Sequence, residues 1–167
     1  MLTIKIKRIR DGVDVPQFIS KGDWVDLRCA QKTTIVGPMK SKDSNTIIFN
    51  NTLIPLGFAM KLPDGFEAII APRSSTYKHY GIIQTNSIGV IDTSYCGNDD
   101  EWMMPVLSFK KTTIPKNDRI CQFRIQLSQK ATFWQKMRWL FSSKIKIELV
   151  DDLNAETRGG FGSTGAK

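Results

Sequence analysis

The segment from Ala71 to Gly97, APRSSTYKHYGIIQTNSIGVIDTSYCG, concentrates residues that a packed core does not need. In Pro72-Arg73-Ser74-Ser75 a cation and two hydroxyls follow an apparent strand and open a short helix. Backbone N–H groups, the positive end of the helix dipole and a guanidinium converge there, which suits a phosphate. The competing explanation is plain: serine is a common N-cap, and the arginine is a surface charge. In Gly89-Val90-Ile91-Asp92-Thr93-Ser94-Tyr95-Cys96-Gly97, glycines bracket an acid and an aromatic hydroxyl three residues apart, which allows tight turns and close approach of a ligand. Such a tip would hold Asp92 and Tyr95 on one side of a pocket, while Asn86 offers a donor and an acceptor for reading an amide-like edge. The alternative is an ordinary hairpin with an exposed acid.

The spacing Gly-x-Ile-Asp-x-x-Tyr-x-Gly, preceded by an Asn and by Pro-Arg-Ser-Ser, resembles two of the five motifs of the trimeric dUTP diphosphatases (dUTPases). The other three are present in order, as Asp26-Leu27-Arg28-Cys29-Ala30, Asp118-Arg119-Ile120-Cys121-Gln122 and Arg158-Gly159-Gly160-Phe161-Gly162-Ser163-Thr164-Gly165. The likeness runs from about Ile4 to Gly165. The Gly22-Asp23-Trp24-Val25 that precedes Asp26 departs from the usual Ala-Gly-x and is similar to the form found in Gram-positive bacteria and their temperate phages. Trp24 itself reads as a core or interface anchor.

The resemblance implies hydrolysis of dUTP to dUMP and pyrophosphate by water attack on the α-phosphorus, which keeps uracil out of DNA and supplies dUMP for dTMP synthesis. It assigns catalysis to Asp92 as general base, with Gln122, Arg73 and Ser74 on the phosphates and bridging oxygen, and Ser75 beside them. Asn86, with main chain at Gly89 and Ile91, would read uracil, and Tyr95 would exclude a 2′-hydroxyl. Arg158, Phe161, Gly162, Ser163 and Thr164 would close over the nucleotide. Asp26 would hold Mg²⁺ through water. In the family one subunit gives the first, second and fourth motifs, another the third, and another the arm.

The elements that must position these residues are mostly strands. Phe66 to Ala71 alternates like a half-buried strand, Ser74 to Tyr80 has room for two helical turns, and Pro63-Asp64-Gly65 fits a tight turn. Ile4 to Ile9 alternates imperfectly, like an edge strand ending near Gly12. Lys32 to Asn51 reads as a hairpin excursion around Thr46 to Phe49, and Leu53 to Lys61 and Trp102 to Phe109 as further strands. Strands recur about every ten residues with little helical periodicity before residue 130, which predicts an all-β barrel or sandwich; the resemblance narrows this to a jelly-roll-like β-barrel, homotrimeric. Asn98-Asp99-Asp100-Glu101 reads as a solvated turn. Trp102, Met103 and Met104 are expected in the core.

The likeness thins between Lys130 and Lys146. An inserted amphipathic helix, about 131–143, puts Phe133, Met137, Leu140 and Phe141 on one face, which either packs on its own barrel or trimer or meets a membrane surface, nucleic acid or a protein partner. Arg158 to Gly165 is not a P-loop, because Gly-Lys-Ser/Thr is absent. A barrel domain over 1–153 and a flexible arm over 154–167 are therefore expected, the arm ordered only by a triphosphate.

With 167 residues, one domain with a real core is expected. The formal charge of +8 is compatible with nucleic acid, an anionic membrane or an anionic small substrate, and does not choose among them. No apolar run approaches the roughly eighteen residues of a membrane span and the charged start lacks a signal-peptide core, so a cytoplasmic location with no membrane is expected; the resemblance implies no stable nucleic-acid partner. Cys29, Cys96 and Cys121 lack a Cys-x-x-Cys pair and His79 is the sole histidine, which argues against a disulfide framework or a zinc site. Two other functions fit the same fold: a dCTP deaminase, whose Asp-Pro-Gly pattern is replaced here by Asp92-Thr93-Ser94-Tyr95, and a dUTPase-like regulatory module that binds a protein.

Overall fold

The computed structural model describes residues 1–20, 22–142 and 144–160. Its strands wrap one apolar core that includes Leu2, Ile4, Ile6, Leu27, Phe58, Phe66, Trp102 and Phe123, the barrel-like all-β architecture expected. The sheet that carries the chemistry-bearing residues has the order β10-β8-β13-β2. These strands span Gly89–Ile91, Phe66–Pro72, Arg119–Leu127 and Val25–Arg28 respectively. Strand β8 follows from its alternation: Phe66, Ala68 and Ile70 turn inward while Glu67 and Ile69 stay nearer solvent.

β1 (Leu2–Arg8) is not an edge strand. It lies between β14 (Ile145–Leu149), which pairs with it in parallel, and β7 (Phe58–Lys61), which pairs antiparallel. The parallel partner comes from the far end of the sequence, so nothing in the N-terminal pattern could announce it. The run from Leu53 to Lys61 divides into β6 (Thr52–Pro55) and β7 at Gly57, whose φ of +84° favours glycine. β11 (Met103–Ser108) pairs with β6 and with β9 (Ile82–Gln84). Strands β3 (Thr33–Ile35) and β12 (Thr112–Ile114) form a small ribbon. The excursion after residue 32 includes a second, of β4 (Met39–Lys40) and β5 (Ile47–Ile48). Trp102 and Met104 are buried and Met103 partly so.

Two expectations change. The turn at 98–101 is not simply solvated, since Asp100 is 1% and Glu101 6% exposed. Glu101 accepts from Arg10 Nε and Nη2 at 2.7 and 2.9 Å and from the Gly57 N–H at 3.0 Å. A local turn preference could not reveal these partners, which are distant in sequence. The inserted helix, α2 (Phe133–Leu140), begins with a capping box between Thr132 and Gln135, but it faces the barrel differently from the expected stripe. Trp139 packs on Phe66 with ring centroids 5.3 Å apart, while Phe133, Trp134, Leu140 and Phe141 are exposed.

Replacing Glu101 by Ala would leave the Gly57 N–H unpaired and deprive Arg10 of its partner. Unfolding in urea is expected to show a loss of about 2 kcal/mol, the scale of a buried donor left unpaired and below that of a broken fully buried ion pair because Arg10 is partly exposed. A loss below about 0.5 kcal/mol, the scale of an ordinary surface substitution, would contradict it.

Candidate functional site

Pairing registers determine which motif residues meet. Gln122 on β13 is level with Asp26 on β2 and with Ala71 on β8, so the first, second and fourth motifs form one row across three strands. A register shift in β13 between Arg119 and Cys121 lies beside this row. From the end of β8, Arg73 Nε reaches Asp26 Oδ1 at 2.8 Å, and Arg119 Nη1 reaches Asp26 Oδ2 at 3.1 Å. Both oxygens of Asp26 are thus engaged by guanidinium groups. Within its motif Arg119 has no role that the sequence alone assigns; its grip on Asp26 needs the cross-strand register to be seen.

The helix after Arg73 is α1 (Thr76–Tyr80), shorter than expected, and Gly81 closes it in the left-handed conformation. Ser75 stands at its N-cap but makes no side-chain capping bond, and Ser74 is exposed. The capping explanation for this serine pair therefore fails. A cavity of about 520 Å³ adjoins the row and is lined by Asp14, Asp26, Arg28 and Arg119 among others.

The third motif lies elsewhere in the chain. β10 runs antiparallel to β8 with Gly89 opposite Ile70 and Ile91 opposite Ala68. Asp92, the next residue, is therefore carried toward the level of Glu67, six residues back along β8 from Arg73, or roughly 20 Å at the usual rise of a strand. The fold does not bring Asp92 and Tyr95 to Arg73, Asp26 and Gln122 within one chain.

Around Asp92 the contacts are local, apart from one. Ser94 donates its N–H to Asp92 Oδ1 at 2.8 Å and its hydroxyl to the same oxygen. From the C-terminal segment, Arg158 Nη1 donates to Asp92 Oδ1 and Oδ2 at 3.1 and 2.9 Å. Burial alone would raise the pKa of Asp92, but the Ser94 hydroxyl and amide and the Arg158 guanidinium together hold it below the usual carboxylate range. Tyr95 donates its hydroxyl to the Glu101 carbonyl at 2.9 Å, and burial, with Asp100 and Glu101 nearby, pushes its pKa up to about 12. The hydroxyl is thereby neutral and committed.

Asn86 is exposed, and its Oδ1 accepts from Gln84 Nε2 at 2.9 Å. Gln84, which the sequence did not single out, is buried and also donates to the Ile70 carbonyl at 3.3 Å, which fixes it beneath Asn86. A Cβ on Gly89 would press on the Ile70 side chain at 3.3 Å, which would have to yield by a few tenths of an ångström, and would meet Gln84 Nε2 at an ordinary 3.6 Å. Ile91 is half-buried beside Asp92.

The C-terminal segment departs from the expectation of a free arm as far as Gly160. Arg158 and Gly159 donate backbone N–H groups to Asp100 at 3.0 and 2.9 Å, so this stretch lies on the third motif of its own chain, whereas the resemblance implies that one site takes its third motif and its arm from different subunits. Phe161, Gly162, Ser163 and Thr164 lie outside the described residues. The Arg124 guanidinium lies over the ring of the half-buried Trp24 at 5.8 Å, and Trp24 is not part of the core. Cys29 and Cys121 are buried and free.

Among the described residues no three or more His, Cys, Asp or Glu gather to hold a metal ion. Nor is any helix among them long and apolar enough to cross a membrane.

Comparison with known proteins gives the family. The dUTPase family model matches residues 39–165. The chain is 43% identical over 166 residues to the SPbeta prophage-derived deoxyuridine 5′-triphosphate nucleotidohydrolase YosS of Bacillus subtilis, covering 99% of this chain and 100% of that one. It is 30% identical over 171 residues to the deoxyuridine 5′-triphosphate nucleotidohydrolase of Hydrogenobaculum sp., with 99% and 100% covered. Among solved structures, the dUTPase of Streptococcus mutans superposes with a TM-score of 0.61 at 20% identity, covering 74% of this chain and 94% of that one. A dUTPase of phage phi11 of S. aureus, in which a structural Mg(II) ion is coordinated, gives 0.61 at 12% identity, with 78% and 94% covered. The chain belongs to the dUTPase family.

Because the folded pKa of Asp92 is depressed, the stabilisation from its partners is present above the unfolded value near 3.9 and is lost as pH falls through the folded pKa. Replacing Arg158 by Gln removes one of these partners. The ¹³C carboxyl titration of Asp92 is expected to move to higher pH in that variant, and an unmoved titration would show that Arg158 is not on Asp92 in solution.

Proposed function

We propose that the protein hydrolyses dUTP to dUMP and pyrophosphate as a homotrimer with active sites shared between subunits. The observation that carries this reading is the separation of Asp92 from Arg73 along one sheet. Each half of the required chemistry is well formed, yet one chain keeps the halves roughly 20 Å apart. Closed rotational symmetry supplies the missing half from a neighbour.

In this reading Arg73, Ser74, Ser75 and Gln122 bind the phosphates and the bridging oxygen, next to Asp26. Asp26 would hold Mg²⁺ through water, as the family resemblance implies, with the Arg73 and Arg119 guanidinium groups that now meet its two oxygens turning to the phosphates. Mg²⁺, when bound, neutralises charge across the phosphates. Asn86, oriented by Gln84, reads the uracil edge beside the Gly89 and Ile91 main chain, and the Tyr95 ring lies against the deoxyribose. Asp92 takes a proton from water as its oxygen attacks the α-phosphorus. The Pα–O bond to the β-phosphate breaks, and the electron pair leaves with pyrophosphate.

Arg158 depresses the basicity of Asp92 in the chain without nucleotide. A triphosphate carries more negative charge than one carboxylate and draws the guanidinium toward itself, which frees the base. Phe161, Gly162, Ser163 and Thr164 complete the closure, with Phe161 over the base. The body is 1–153 and the closing arm 154–167. The enzyme acts in the cytoplasm, that of the host cell if a phage encodes it, without a membrane or a stable nucleic-acid partner. The exposed Phe133, Trp134, Leu140 and Phe141 favour a second reading beside catalysis, a protein partner met through 131–143.

Purified protein with Mg²⁺ is expected to release pyrophosphate efficiently from dUTP, with dCTP and UTP far poorer and no ammonia formed from dCTP. Replacing Asp92 by Asn is expected to lower the rate by at least about 10²-fold while leaving the oligomer intact. Comparable turnover of UTP, or a near-normal rate in the Asn variant, would overturn the assignment.

A further inference from the structure

We propose that Asp100 is a positioning residue for the reaction: its buried carboxylate clasps the root of the C-terminal arm onto the third motif and thereby sets where the arm departs. The role in turnover rests on the dUTP-hydrolase reading, but the clasp itself does not.

Asp100 is 1% exposed and no cation pairs with it among the described residues. Its oxygens are met by backbone donors. The Gly97 N–H donates to Oδ2 at 2.8 Å, the Arg158 N–H to Oδ2 at 3.0 Å and the Gly159 N–H to Oδ1 at 2.9 Å. Three converging N–H groups suit a side chain that only accepts, and an amide would turn a donor toward donors. Asp99 extends the clasp, donating its N–H to Thr157 Oγ1 at 3.3 Å and accepting from that hydroxyl at 3.4 Å. Asn98 joins the strap below it, donating to Asp152 Oδ1 at 2.8 Å and accepting from the Leu153 N–H at 3.0 Å.

The fit is close enough to dictate two glycines. A Cβ on Gly97 would lie 2.3 Å from Thr157 Cα, and one on Gly160 would lie 2.8 Å from the Tyr95 ring. The last glycine of the third motif is thus a landing place for the arm's main chain. With its backbone fixed on Asp100, Arg158 is aimed at Asp92 and Ser94 Oγ, the latter at 2.7 Å. The acidic turn therefore couples the closing segment to the base.

The test combines amide exchange, tryptic cleavage and kinetics. In the full-length protein the Arg158 and Gly159 amides are expected to be protected from hydrogen exchange. Unprotected amides would overturn the clasp without any variant. In Asp100→Asn, cleavage after Arg158 is expected to accelerate about tenfold or more, and kcat/KM for dUTP to fall by a similar factor. In chains ending at Glu156, the same substitution is expected to change kcat/KM by less than about twofold, because a residue acting through the arm has nothing left to act on. A loss that persists in the shortened chain would mark Asp100 as merely structural, and unchanged cleavage in the full chain would also overturn the proposal. If the wild-type protein fails to hydrolyse dUTP, the functional reading falls while exchange and cleavage still decide the clasp.

Discussion

Antiparallel pairing in one four-stranded sheet governs what this chain can do. Because β13 is held between β8 and β2, a single level of the sheet carries Ala71, Gln122 and Asp26, and Arg73 follows just beyond the end of β8. The same rule applied to β10 sends Asp92 to the other end. A strand that pairs antiparallel must carry its continuing residues back toward its partner's start. The division of the site is therefore a property of the sheet and not of any loop. It makes a neighbouring chain a chemical necessity for the proposed reaction.

Electrostatics keep the two halves ready in different ways. At one end, two guanidinium groups share Asp26, so cationic groups converge where a polyanion would bind while the acid keeps them in place. At the other, Asp92 is held ionised by Ser94 and Arg158, and Tyr95 keeps its proton through burial and the nearby Asp100 and Glu101 carboxylates while its hydroxyl donates to the Glu101 carbonyl. Buried acids do structural service between these ends. Glu101 fastens Arg10 and Gly57, and Asp100 gathers backbone amides that would otherwise compete for water. Neither acid invites a metal, since each already has its donors.

Much of this was legible in the sequence because the informative residues are local. The alternation of Phe66, Ala68 and Ile70 gives β8, Pro63-Asp64-Gly65 gives its turn, and the five ordered motifs give the family. What was not legible depends on partners far along the chain. The acid at 100 looks like turn material until the amides of residues 158 and 159 arrive to bury it. β1 looks like an edge until β14 lies beside it. For α2 the apolar stripe was visible, but Gln135 and Trp139 face the barrel instead, with Gln135 against Gly65 and Trp139 against Phe66. A hydrophobic pattern specifies that a helix has a preferred face only when one stripe dominates, and here aromatic residues surround most of the helix.

The central claim, that the two halves of the site come from different chains, is open to a direct mixing measurement. One preparation carries Asp92→Asn and the other Arg73→Gln, each nearly inactive alone. They are unfolded together, refolded as a mixture and assayed for pyrophosphate release from dUTP. A site built between chains restores activity to about a quarter of wild type, the share of interfaces at which random assembly pairs an intact Arg73 with an intact Asp92. Activity no greater than that of the separate variants, in a mixture shown by mass to contain hybrid oligomers, would place both residues in one chain's site and contradict the account.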